Sequence, residues 1–157
     1  MKLSILKGLS FGLTSGIITT LGLIVGLDST THNKLVVLGG ILTIAIADAM
    51  SDALGMHVSQ ESENKHSTLA VWESTVVTFF TKFFFALSFA VPILLFPLAT
   101  AVIISVVYGL LLIASFSYYL AKKNKEPAAK VILEHVGIAI VVVIITHYVG
   151  HAVAFLT

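Results

Sequence analysis

LVVLGGILTIAIADAMSDALGMH, residues 35–57, is apolar enough to be a membrane span, yet it carries two aspartates one helical turn apart, Asp48 and Asp52. A helix rises about 1.5 Å per residue, so about twenty apolar residues cross the ~30 Å hydrocarbon layer. A carboxylate at that depth is expensive; such residues face a bundle interior, a cavity or a transported ion. The stretch therefore predicts a membrane helix with a candidate functional site inside it.

The flanking sequence extends the membrane reading. Hydrophobic residues make up 57% of the 157 positions and charged ones 11%, with apolar blocks separated by short polar clusters. Clusters at residues 28–34 (DSTTHNK), 59–68 (SQESENKHST) and 122–128 (KKNKEPA), together with Pro97, divide the chain into spans at about 9–27, 35–58, 69–95, 98–120 and 128–156. The predicted fold is an all-α integral membrane protein of five transmembrane helices, forming a single membrane domain over residues 1–157. Pro92 falls near the end of the third span, Pro97 leaves almost no loop before the fourth, and Pro127 suits the first turn of the fifth.

Lysine placement predicts orientation, since the chain has nine Lys+Arg and every one is Lys. An inside N-terminus puts Lys2, Lys7, Lys65, Lys122, Lys123, Lys125 and Lys130 on the cytoplasmic side, with Lys34 outside and Lys82 within the third span. The C-terminus is then outside. The opening MKLSILKGLSF lacks a small-residue cleavage site and reads as the start of a span rather than a signal peptide. The expected localisation is multi-pass in a membrane, the cell membrane in a prokaryote.

Small residues recur at four-residue spacing: Gly8, Gly12 and Gly16; Gly22 and Gly26; and Gly39, Thr43, Ala47, Ser51 and Gly55. Such ladders let helices approach closely, and they predict packed faces on the first two spans. Asp48 and Asp52 each lie one residue, or about 100°, beyond a ladder position, beside a tightly packed seam.

Carboxylates at i and i+4 share a helix face, but two bare charges close together in low dielectric disfavour each other, so a cation or a proton should neutralise them. Competition between proton and metal for the same oxygens is what a proton-coupled cation carrier needs. Met56 adds a thioether one turn further, and His57, Glu61, Glu63 and Glu73 form a candidate cytoplasmic entrance. Oxygen donors with an optional soft ligand suit manganese or ferrous iron, and the absence of cysteine removes any thiolate site. The simpler reading is that the aspartates hydrogen-bond neighbouring helices and that the entrance residues are a solvated polar loop. His147 and His151 have metal-ligand spacing at a candidate outer exit, or serve as interfacial histidines. Glu73 and Lys82, nine residues apart, fall on opposed helix faces and need different partners; Lys82 snorkels or pairs with an acid on another helix.

No enzyme is expected. The chain holds no nucleophile elbow, phosphate-binding glycine loop or HExxH helix, and an intramembrane aspartyl protease needs its two aspartates on facing helices. The formal net charge of +1 gives no reason to expect nucleic acid.

Residues 47–63 (ADAMSDALGMHVSQESE) resemble the second-helix signature of the vacuolar iron transporter family, and 12–26 (GLTSGIITTLGLIVG) its first helix. Residues 86–108 are similar to its third-to-fourth hairpin, and 146–151 (THYVGH) to the end of its fifth helix. The resemblance implies a homodimeric exporter that moves ferrous iron or manganese from the cytosol in exchange for protons, along a path between subunits, with the metal as substrate and no permanently bound cofactor. The chain departs from the family at three positions. Phe11 stands where an aspartate is usual, Asp52 where methionine is common, and Met56 where an acidic residue is common. The long cytoplasmic metal-binding insertion of many relatives is replaced by the short 59–68 segment. The alternative function is a non-transporting membrane subunit or scaffold with the same fold.

Overall fold

Residues 2–156 are described by the structure, a computed structural model. Its helices are α1 (Leu3–Thr31), α2 (Lys34–Ser62), α3 (Thr68–Ser88), a short α4 (Ala90–Leu95), α5 (Leu98–Asn124) and α6 (Ala128–Ala154). Five stretches are long and apolar enough to cross a bilayer, α3 and α4 together supplying one of them, and no strand occurs among the described residues. The chain is thus an all-helical, multi-pass membrane protein.

Local chemistry sets the ends of these helices. Asn33 caps α2, its side chain accepting from the Leu35 and Val36 N–H groups, and Ser67 caps α3 by accepting from Ala70. His32 and Lys125 close α1 and α5 in the left-handed region, at φ 46° and 60°. Helix α2 runs on to Ser62 and α3 begins at Thr68, so half of the polar segment expected as a loop is helical and only residues 63–67 link the two. Pro127 occupies the position just before α6 rather than its first turn.

The third span, expected to be continuous, breaks at Phe89. Pro92 has no N–H to offer the Ser88 carbonyl and its ring crowds that oxygen, so the helix cannot pass through unbroken. The turn tightens instead, with Phe89 N–H donating to Ala86 O at 3.2 Å. Tyr108 of α5 donates to Ser88 Oγ at 3.2 Å and so fastens the break to the next helix.

Helix α1 is the centre of the bundle, touching α2, α3, α5 and α6. Its glycines make this possible. A Cβ at Gly8 would lie 2.5 Å from Ser74 O of α3, and one at Gly12 2.7 Å from Thr78 O. On the other side of the molecule, a Cβ at Gly150 of α6 would come within 2.5 Å of Gly26 O. Ile17, Leu21 and Ile24 of α1 fill the core together with Phe89, Ile93 and Ile113.

The ladder of α2 behaves differently from that of α1, and here the expectation of a packed seam is corrected. The face that α2 buries is Val37, Ile41, Ala45, Ala49 and Ala53. Gly39, Thr43, Ala47, Ser51 and Gly55 lie two residues, or about 200°, away and are exposed; no side chain comes within 4 Å of a Cβ built at Gly39 or Gly55. The same spacing thus marks a buried contact on α1 and an open face on α2.

Candidate cation site

Asp48 and Asp52 occupy the strip of α2 between its buried face and its open small-residue face. They point toward α3, where Lys82 is fully buried, and Lys82 Nζ lies 2.5 Å from Oδ2 of each aspartate. Toward Asp52 the ammonium donates a hydrogen bond; with Asp48 it forms an ion pair on Oδ2, an oxygen buried within the contact. Lys82 also donates to Ser15 Oγ of α1 at 2.9 Å, and Ser15 in turn donates to Asp52 Oδ2 at 2.6 Å. Three helices therefore meet at one charged cluster, and the lysine reaches it because Gly16 leaves space: a Cβ there would lie 3.3 Å from Lys82 Cγ.

The cluster has a closed side and an open side. Lys82 is 0% exposed, whereas the Asp48 and Asp52 side chains retain 31% and 20% exposure. Counted as ionised groups, two carboxylates and one ammonium leave one negative charge. The neutralising cation required by the aspartate pair is thus supplied in part by the chain itself, which fulfils the need of Lys82 for an acidic partner on another helix.

The remaining predicted residues do not join this cluster. Met56 accepts a hydrogen bond from the Gln60 amide at 3.3 Å and lines a cavity of about 530 Å³ with Phe11, Gln60, Glu63 and His135. His57 is hydrogen-bonded to Thr75 Oγ1 at 3.0 Å and packs edge-on to Trp72. With Glu61 and His66 it lines a smaller cavity of about 280 Å³. Glu63 bonds His66 at 3.0 Å and lies 4.0 Å from Lys7; the His66 hydrogen bond, then the charge of Lys7, hold its carboxyl below the usual glutamate range. Glu73 is taken by Lys2 at 2.5 Å and by Ser4 at 2.7 Å. His147 pairs with Ser29 Oγ at 2.9 Å, its ring centroid 4.5 Å from that of His151.

These residues form three separate groups: the aspartates near the middle of α2, the entrance set at the lysine-rich end, and the histidine pair near the far end of α6. Among the described residues no group of three or more His, Cys, Asp or Glu side chains is placed to hold a metal ion. Any cation at the aspartates must complete its shell from Ser15, water or a second chain. Ser15 was not singled out in the sequence; its one signal is a hydroxyl next to Gly16 on the face that packs against α3.

No curated protein matches the chain. Residues 6–71, which take in most of α1, all of α2, Ser15 and both aspartates, match the model of the VIT family.

Proposed function

We propose that this protein is a carrier rather than an enzyme, exporting ferrous iron or manganese from the cytosol in exchange for protons as a homodimer. The family match suggests a membrane metal-ion transporter. The observation that carries the reading further is the pair of partly exposed carboxylates on α2, two acids set against the single ammonium of Lys82. Asp48 and Asp52 supply hard oxygen donors to the substrate ion. Glu61 and Glu63 attract cations to the lysine-rich end, taken as cytoplasmic, while His147 and His151 lie toward the exit. Met56 lines the cavity shared with Phe11 and serves the approach rather than the aspartate site.

The open ladder of α2 supports pairing of two copies. With no hydrophobic drive between helices in lipid, close backbone approach at small residues is a main source of association. Such a dimer would bring the second chain next to the aspartate strip, where the coordination shell is incomplete. Gly55→Leu is expected to abolish self-association, measured by light scattering or cross-linking in detergent, while the helical content of the subunit stays unchanged; a dimer that persists would refute the α2 interface.

A second reading has its own support. Lys82 already satisfies most of the aspartate pair, as a purely structural contact between α1, α2 and α3 would require, and this favours a non-transporting membrane subunit. Transport assays separate the two. Proteoliposomes containing the protein should take up Mn²⁺ or Fe²⁺ with counter-movement of protons; no flux above protein-free vesicles, under a pH gradient of either direction, would leave the structural reading.

A further inference from the structure

We infer that Lys82 is a tethered competitor for the substrate ion: its ammonium occupies the carboxylate pair when no metal is bound, and a divalent cation binds by displacing it. The inference rests on reading Asp48 and Asp52 as the cation site. Its basis is charge and access. The ammonium sits 2.5 Å from both carboxylates, where it neutralises one of their two charges. A divalent ion added to that arrangement would leave net positive charge at low dielectric, whereas the same ion with the ammonium withdrawn leaves the two carboxylates neutral.

The geometry provides for the displacement. Lys82 is fully buried and holds Oδ2 of each aspartate, the Asp48 one itself buried, while the rest of each carboxylate side chain keeps partial exposure, so metal and ammonium compete for the charge of the pair from different sides. Asp48 is the more exposed of the two side chains and, unlike Asp52, has no second hydrogen bond from Ser15. Ser15 Oγ already accepts from Lys82 at 2.9 Å, so the ammonium keeps one partner when the carboxylates turn to the metal. When the metal leaves, the tethered ammonium returns at a local concentration no free ion can match, which promotes release. Lys82 is thus a positioning residue that sets affinity and release rather than a ligand.

The test is Mn²⁺ binding to the purified full chain, comparing the unsubstituted protein with Lys82→Met and Lys82→Arg. Lys82→Met should bind Mn²⁺ at least about tenfold more tightly, and in flux assays should lower both KM and kcat because the returning cation is lost. Lys82→Arg, which keeps the charge, should stay within about threefold of the unsubstituted protein. If Lys82→Met folds only with Mn²⁺ present, that rescue is the expected result in another form. Equal affinity in the unsubstituted protein and Lys82→Met, binding in neither, or a Lys82→Met protein that stays unfolded with Mn²⁺ would overturn the inference. Tighter binding in Lys82→Met with no flux in any variant would sink the transport reading alone; normal flux with unchanged affinity would sink this inference alone.

Discussion

Asp52→Asn is expected to reduce metal flux by about ten- to a hundredfold while leaving helix content and self-association unchanged. The magnitude follows from losing one charged interaction with the ion, worth roughly 1.5–3 kcal/mol, at about 1.4 kcal/mol per tenfold. The fold survives because the cluster is better balanced after the change: Lys82 then faces the single carboxylate Asp48, and an asparagine oxygen can still accept from Lys82 and Ser15. The residual negative charge that draws a cation is gone. Uptake of Mn²⁺ into proteoliposomes, with circular dichroism and light scattering on the same preparation, measures both halves of this prediction. Undiminished flux in Asp52→Asn would remove that residue from the transport site. The corresponding loss of charge in Glu73→Gln, at a residue held by Lys2 and Ser4, should change flux less than twofold.

Gly12→Leu has the largest effect expected on the fold. Even a methyl group at this position would come 2.7 Å from the Thr78 carbonyl and 3.0 Å from Thr81 Cβ. Backbone oxygen cannot rotate aside as a flexible side chain can, so α1 and α3 must move apart. Overpacking of a close contact costs about 1–3 kcal/mol, and a leucine here belongs at or beyond the upper end. Separation would also pull Ser15 away from Asp52, because Ser15 lies less than one turn from Gly12 on the same helix. The expected outcome is aggregation in detergent or a lowered melting temperature, with metal binding lost together with stability. Gly39→Leu is the matched control: it meets nothing within the subunit, so subunit stability should be retained. Equal melting behaviour of Gly12→Leu and the unsubstituted protein would show that α1 and α3 do not pack as described.

The contrast between these two glycines shows where sequence reasoning reaches its limit. Five spans were legible because the bilayer sets a length and the polar clusters at residues 28–34, 59–68 and 122–128 interrupt hydropathy plainly. Four-residue spacing identified both small-residue ladders, but spacing alone cannot distinguish a face buried within the chain from one left open; that depends on which helix the bundle places alongside. The break at Phe89 was encoded in Pro92, three residues later, which has no N–H for the Ser88 carbonyl.

The candidate site was half legible. Two carboxylates in an apolar helix announce themselves, and a lysine in the middle of the third span announces the need for an acid. Their meeting depends on the relative register of α2 and α3, which neither helix encodes locally. Met56, one turn from Asp52, was placed with the aspartates by helical spacing, yet its sulfur is engaged by Gln60 and faces the cavity lined by Phe11. Ser15 was invisible for a similar reason, as its partner Asp52 is on another helix.

The central claim is that the α2 aspartates hold the transported ion, and anomalous scattering from a crystal of the full chain soaked in Mn²⁺ tests it most directly. The account predicts a manganese peak bridging the Asp48 and Asp52 carboxylates, with the Lys82 ammonium moved out of contact with both. A peak elsewhere, or none at the aspartates with Lys82 still seated between them at saturating Mn²⁺, would contradict it.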